Sequence, residues 1–157
     1  MNAIEKNLTE LGVTLPQAPS PMGNFLPYVI DGSNLYISGQ VPIDSSGNIL
    51  KGKLGQDVSV TEGQRAAKYC AIGLLARAKS ALGDLNQIEK LLKLTVFVNA
   101  TPDFSEHPKV ANGASDFMVA ALGKDKGMHV RSAVGSASLP ANACVEIEAL
   151  FKIAPIN

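Results

Sequence analysis

At 157 residues the chain has the length of one ordinary domain, and a domain of about 150 residues buries roughly 68–70% of the surface its unfolded chain exposes, so a core needs no disulfide or metal staple. Fourteen Lys and Arg balance fourteen Asp and Glu, which excludes a whole-protein field that would draw the chain to nucleic acid or to an anionic membrane surface. Two isolated cysteines, Cys70 and Cys144, are too few for a disulfide framework or a clustered zinc site and read as small buried hydrophobes in a reducing compartment.

The opening stretch NAIEKNLTEL places Ile4, Leu8 and Leu11 at helical spacing, and Pro16, Pro19 and Pro21 then break the pattern. Residues 1–26 are therefore expected to form an N-terminal helix and a connecting arm. No apolar run there is long enough for a signal peptide, and no segment approaches the ~20 apolar residues of a membrane span. The expected location is cytoplasmic, with no membrane partner. Two β-rich runs, Tyr28 to Ile30 and Leu35 to Ser38, flank the turn residues Asp31, Gly32, Ser33 and Asn34, which predicts a hairpin.

TEGQRAAKYCAIGLLARAKSALG, residues 61–83, predicts the longest helix, with Thr61 and Gln64 as a capping box and Gly83 at the closing left-handed position. Its alanine-rich face suits close packing on a sheet. KLLKLTVFVNA, residues 90–100, predicts a central strand. A second helix is expected to begin after Pro108 and to end at Leu122–Gly123, followed by strands Val130 to Ser138 and Val145 to Ile153. A helix falls between successive strands twice, which predicts at least one parallel pairing and two helices on one face of a mixed sheet, an α+β class. No long linker or strong repeat divides the chain, so residues 1–157 are read as one domain.

Strand alternation puts Glu146 and Glu148 on one side of the last strand, opposite Val145, Ile147 and Ala149, and puts His129, Arg131 and Ala133 on one side of the strand before it. If the aliphatic sides meet the helices, the charged sides face solvent or another subunit. Arg65 and Arg77 fall within the long helix, where a solvated position or an intersubunit salt bridge is the ordinary explanation. Arg131 has two readings: a structural ion pair with a glutamate of the last strand, or a planar fork that receives a ligand carboxylate. Glu146 likewise is an ion-pair partner or a carboxylate that positions a water and accepts its proton. Glu148 reads as a solvated or interface charge, His129 as structural and His107 as exposed. Neither histidine has a sequence neighbour that suggests a metal or a triad.

PYV at 27–29, SGQVP at 38–42, TVFV at 95–98, RSAVG at 131–135, LP at 139–140 and VEIEA at 145–149 together resemble the YjgF/RidA family of reactive-intermediate (imine) deaminases, whose members are also called L-PSP endoribonucleases. The resemblance runs from about Pro27 to Ile153. It implies a chorismate-mutase-like fold assembled as a homotrimer, with ligand clefts between neighbouring subunits. By the same resemblance Arg131 matches a carboxylate-binding arginine and Glu146 the glutamate that orders the attacking water. Tyr28 and Gly39 match cleft-lining residues, and the backbone N–H of Ala133 would face the substrate.

The implied chemistry is hydrolysis of 2-imino acids, tautomers of reactive enamines, to 2-keto acids and ammonia, with a 2-imino or 2-keto acid as ligand and no metal or other cofactor. Two alternatives are a small-carboxylate-binding regulatory trimer without turnover and an endoribonuclease. Neutral charge, only three arginines and the lack of a candidate histidine pair argue against the second. The chain departs from shorter members in its N-terminal helix, in an expected insertion around SEHPKVANGASD and in having alanine rather than cysteine at position 133.

Overall fold

The computed structural model describes residues 2–155; Met1, Ile156 and Asn157, the outermost positions of the expected domain, lie outside the described residues. Helix α1 (Ala3–Glu10) starts at Asn2, whose side chain accepts from Glu5 N, and buries Ile4 and Leu8. Leu11, expected on the same apolar stripe, closes the helix and is exposed. An extended arm leads to β1 (Tyr28–Asp31) and β2 (Asn34–Gln40), an antiparallel hairpin whose register pairs Asp31 with Asn34. Gly32 in its turn has φ 62°, a conformation that favours glycine.

Helix α2 (Val60–Leu82) does not use the Thr61–Gln64 pair as its cap. Ser59 Oγ accepts from Glu62 N at 3.1 Å, and Glu62 Oε2 accepts from Ser59 N at 2.9 Å. The same three-residue spacing occurs twice in succession, and the version with a full carboxylate at the positive end of the helix wins. Gly83 closes α2 with φ 77°. The alanine-rich face is fully buried at Ala66, Ala67 and Ala71.

Strand β3 (Ile88–Asn99) runs parallel to β4 (Val130–Ser136), joined to it through α3 (His107–Leu122) and the single turn α4 (Lys124–Gly127). The last strand, β5 (Val145–Ile153), inserts antiparallel between β2 and β3, giving the order β1-β2-β5-β3-β4. Because β2 and β3 are each antiparallel to β5, they are parallel to one another, and α2 connects them. The sheet is mixed, the class α+β, and α2 and α3 pack together and against the same sheet.

The core lies between this helix layer and the sheet, where Leu94, Val96 and Val98 of β3 meet Ile147, Ala149 and Phe151 of β5. Among the described residues no helix covers the other sheet face. Val29, Tyr36, Val130 and Val134 are exposed there, Val130 to 66%. Exposed apolar groups clustered on one face of a sheet mark a surface that takes a partner.

Asn99, 1% exposed at the end of β3, ties the loops that flank the start of β5. Its Nδ2 donates to Gly52 O at 3.0 Å and to Ala143 O at 3.2 Å. Asn99→Leu keeps the volume but strips both carbonyls of their donor, and each unsatisfied buried group costs about 1–3 kcal/mol. The expected result is a loss of roughly 2–4 kcal/mol, or a melting temperature lower by about 5–15 °C at this chain length. Calorimetry showing a change below ~2 °C would contradict this role.

Candidate functional site

Gly39 and Glu146 meet at the ends of their strands. Strand β2 shifts register between Ile37 and Gln40, and this irregularity turns Gly39 toward β5. A methyl group built on Gly39 would lie 3.0 Å from Glu146 Cδ, so glycine here lets the carboxylate rest on the backbone. Both residues line a cleft of about 300 Å³ walled by Pro19, Pro21 and Phe25 of the N-terminal arm. The cleft lies where β2 stops and β5 begins, so residues from both sides of the sheet reach it.

Glu146 is half-buried, and burial, then the like charge of Glu148, holds its carboxyl above the ordinary glutamate value. Glu146 is paired with Phe97, and Phe97 with Val134, which places it on the open face of the sheet. Glu148, on the same face, is exposed as expected.

Arg131 lies on the other face. It is paired with the fully buried Leu94, which is in turn paired with Ala149. The expectation that aliphatic sides meet the helices holds for β5 and fails for β4, where Val130 and Val134 occupy the open face and Arg131 and Ala133 the helix side. As an edge strand, β4 leaves the Arg131 side chain room to lie along α3 rather than beneath it. One chain alone therefore does not bring Arg131 and Glu146 to one point: β3 stands between their strands and they face opposite ways.

Three oxygens of α3 hold the guanidinium. Arg131 Nη1 donates to Asn112 Oδ1 at 2.9 Å and to Ser115 Oγ at 3.1 Å, and Nη2 donates to Pro108 O at 3.4 Å. All three acceptors are neutral, and among the described residues no carboxylate forms an ion pair with Arg131. Among the described residues Arg131 makes no ion pair with Glu146 or Glu148 of the last strand. Residues read from the sequence as an insertion, SEHPKVANGASD, form the approach to α3 and its first turns and supply these acceptors.

Sequence reasoning missed Asn112 and Ser115. Their signal was the i, i+3 spacing, which puts both polar groups on one side of a helix.

His129 joins the same network. Its Nδ1–H donates to Gly127 O at 2.6 Å, which leaves Nε2 to accept from the Ser115 hydroxyl at 2.9 Å. Burial, the largest effect, lowers its pKa below the ordinary value, and the Arg131 charge acts in the same direction. A neutral ring at neutral pH keeps Ser115 oriented with its oxygen toward Arg131. His129 thereby links the start of β4 to α3 through Ser115.

Tyr28 pairs with the buried Ile37 and packs partly against the core. It lies on the helix side of β1 and is not among the residues that line the cleft with Glu146. Ala133 follows Arg131 by two residues on the same side of β4. His107, expected to be exposed, is half-buried at the start of α3 with its ring edge on Phe104.

Both cysteines are buried and unpaired, and Cys70 Sγ–H donates weakly to Val145 O at 3.7 Å. Among the described residues no helix is long and apolar enough to cross a membrane. Arg65 is exposed over the Tyr69 ring, whereas Arg77, expected to be solvated or to form an intersubunit salt bridge, is only 7% exposed and so is not solvated. Residue 77 falls on the side of α2 that faces the end of β2, a placement set by tertiary packing.

The family described as "YjgF/chorismate mutase-like, putative endoribonuclease" matches residues 5–152. Protein TCP17 of Trypanosoma cruzi is 44% identical over 150 residues, covering 96% of this chain and 94% of that protein. The crystal structure of Atu1372 from Agrobacterium tumefaciens superposes with a TM-score of 0.90 at 48% identity, covering 97% of this chain and 93% of that one. A protein of Dermatophagoides farinae named 2-iminobutanoate/2-iminopropanoate deaminase is 26% identical over 141 residues, covering 90% of this chain and 94% of that protein. With the hairpin, Arg131 and Glu146 inside the matched span and all of the five-stranded sheet but its last residue within it, the chain belongs to the YjgF/chorismate mutase-like family.

Proposed function

We propose that the protein hydrolyses 2-imino acids to 2-keto acids and ammonia, in clefts of a homotrimer that pair Glu146 of one subunit with Arg131 of its neighbour. The observation that carries this reading is the uncompensated charge of Arg131, a fork held by neutral oxygens with no carboxylate partner among the described residues. Such a fork is matched to an external carboxylate. The exposed Val29, Tyr36, Val130 and Val134 on the open sheet face support association, since burying them would bring a second chain toward Glu146 on that face. Family membership and the name of the D. farinae relative support the reaction class.

In this mechanism Arg131 fixes the carboxylate of R–C(=NH)–COO⁻, and ionised Glu146, backed by Gly39, orients a water and accepts its proton as oxygen attacks the imine carbon. The proton passes to nitrogen, the C–N bond of the tetrahedral adduct breaks, and ammonia and the 2-keto acid leave. The imine carbon is already electrophilic, so positioning provides most of what the step needs.

The direct test supplies enzymatically generated 2-iminobutanoate and follows ammonia release, with sedimentation of the same sample. We expect turnover by a species of three chains. Tight 2-keto acid binding without ammonia release would point instead to a regulatory carboxylate sensor, and a monomer at micromolar concentration would remove the intersubunit site.

Glu146 also sets an expected pH profile. Only its ionised form accepts a proton, so kcat/KM should fall as pH drops through a value above the ordinary 4.5 of glutamate. Glu148→Gln removes a like charge, stabilises the Glu146 carboxylate and should move that acid limb to lower pH. Because burial is the larger cause, the limb should stay above the ordinary value. An acid limb that stays in place or moves up in Glu148→Gln would refute the assignment. In stability the sign is opposite to that of a salt-bridged carboxylate. The folded-state pKa is raised, so the contribution is fully present below the unfolded pKa and is lost as pH rises through the folded one.

A further inference from the structure

Arg77 is a buried cation without a partner. It is 7% exposed, its Nε has no hydrogen-bond acceptor, and among the described residues it forms no ion pair. Burial depresses its pKa, yet a guanidinium stays protonated in proteins, and a desolvated charge is unfavourable until an anion meets it.

Its side chain lines the same arm-walled cleft as Glu146 and Gly39. One turn earlier on α2, a methyl group built on Gly73 would touch Gln40 Cβ at 3.5 Å. The helix therefore lies close on the end of β2, which brings residue 77 to the cleft. Glu146 and Arg77 are the charged side chains on its wall, and Pro19, Pro21, Met22 and Phe25 make the rest largely apolar.

We infer that Arg77 is a specificity-determining anion anchor that selects 2-imino and 2-keto acids carrying a second acidic group on the side chain. The inference rests on the proposed function. Arg131 of the neighbouring subunit takes the 1-carboxylate, Glu146 addresses the imine carbon, and Arg77 at the inner end takes the distal carboxylate. The short aliphatic link lies on the prolines of the arm. A neutral side chain would exclude water from the guanidinium and leave it unpaired, which is the stronger kind of discrimination available to a buried polar site.

The test is calorimetric titration of the full chain with 2-oxoglutarate and 2-oxoadipate against 2-oxobutyrate and 2-oxohexanoate, repeated on Arg77→Met with its melting temperature recorded. At least one diacid should bind the wild type 10-fold or more tighter than both monoacids, and in Arg77→Met that ratio should fall to near one. Equal binding of all four by the wild type would overturn the substrate class and leave the proposed function standing. A diacid preference that survives in folded Arg77→Met would remove Arg77 from it. No binding of any of the four, with no ammonia release, would overturn the proposed function and this inference with it.

Discussion

Arg131→Lys and Arg131→Ala should both lose most imine hydrolysis while remaining folded and associated. Lysine keeps the charge but has one nitrogen where arginine has a rigid fork. It cannot reach Asn112 Oδ1, Ser115 Oγ and Pro108 O together and still present two parallel donors to a carboxylate. Removing one partner of a buried charge pair costs about 2–5 kcal/mol, which corresponds to roughly 30-fold to several-thousand-fold in affinity. That loss should appear in kcat/KM at subsaturating 2-iminobutanoate, with melting temperatures within a few degrees of wild type.

A structural role would give another pattern. The free energy would then appear as a lower melting temperature or a broken oligomer, and lysine would largely rescue it. Wild-type turnover by Arg131→Ala would end the functional reading.

The second large effect is on stability. Gly113 of α3 sits directly against the α2 backbone, and a methyl group built on it would fall 2.7 Å from Gln64 Cα. Both obstacles, Gln64 Cα and its carbonyl, are backbone, so the helices must separate. Overpacking of this kind costs about 1–3 kcal/mol and sometimes more, and it exceeds the gain of up to ~1 kcal/mol that alanine brings to a helix interior.

Gly113→Ala should therefore lower the melting temperature by several degrees despite its better helix propensity. It should also lower activity, because Asn112 and Ser115 flank residue 113 and hold Arg131. A variant as stable as wild type would show that the crossing relaxes without strain. Partial activity rescue at low temperature is not expected, since the displacement is steric.

The elements were legible because their causes are local. The turn at Asp31–Asn34, the closing glycines at 83 and 123 and the alternation of VEIEALFKI each follow from backbone preference or a two-residue period. Glu146 could be placed opposite Val145 and Ile147 without any structure, and it is so placed. Where two local signals competed, at Ser59–Glu62 and Thr61–Gln64, the sequence offered both and the charged one formed.

What lay beyond the sequence is whatever depends on which strand meets which. Alternation sorts residues within a strand, but the buried face of β4 is set by its pairing with β3, and β4 carries apolar groups on both sides: Val130 and Val134 on one, Ala133 on the other. The insertion of β5 between β2 and β3 leaves Glu146 and Arg131 on opposite faces, with one strand between theirs in the order β5-β3-β4. The same long-range packing buries Arg77 and lays the expected helix α3 against Arg131. The sequence by itself determined the main elements and the chemical identity of the candidate groups. Only the tertiary structure decided which of those groups share a surface, because register and face are settled by contacts between residues far apart in the chain.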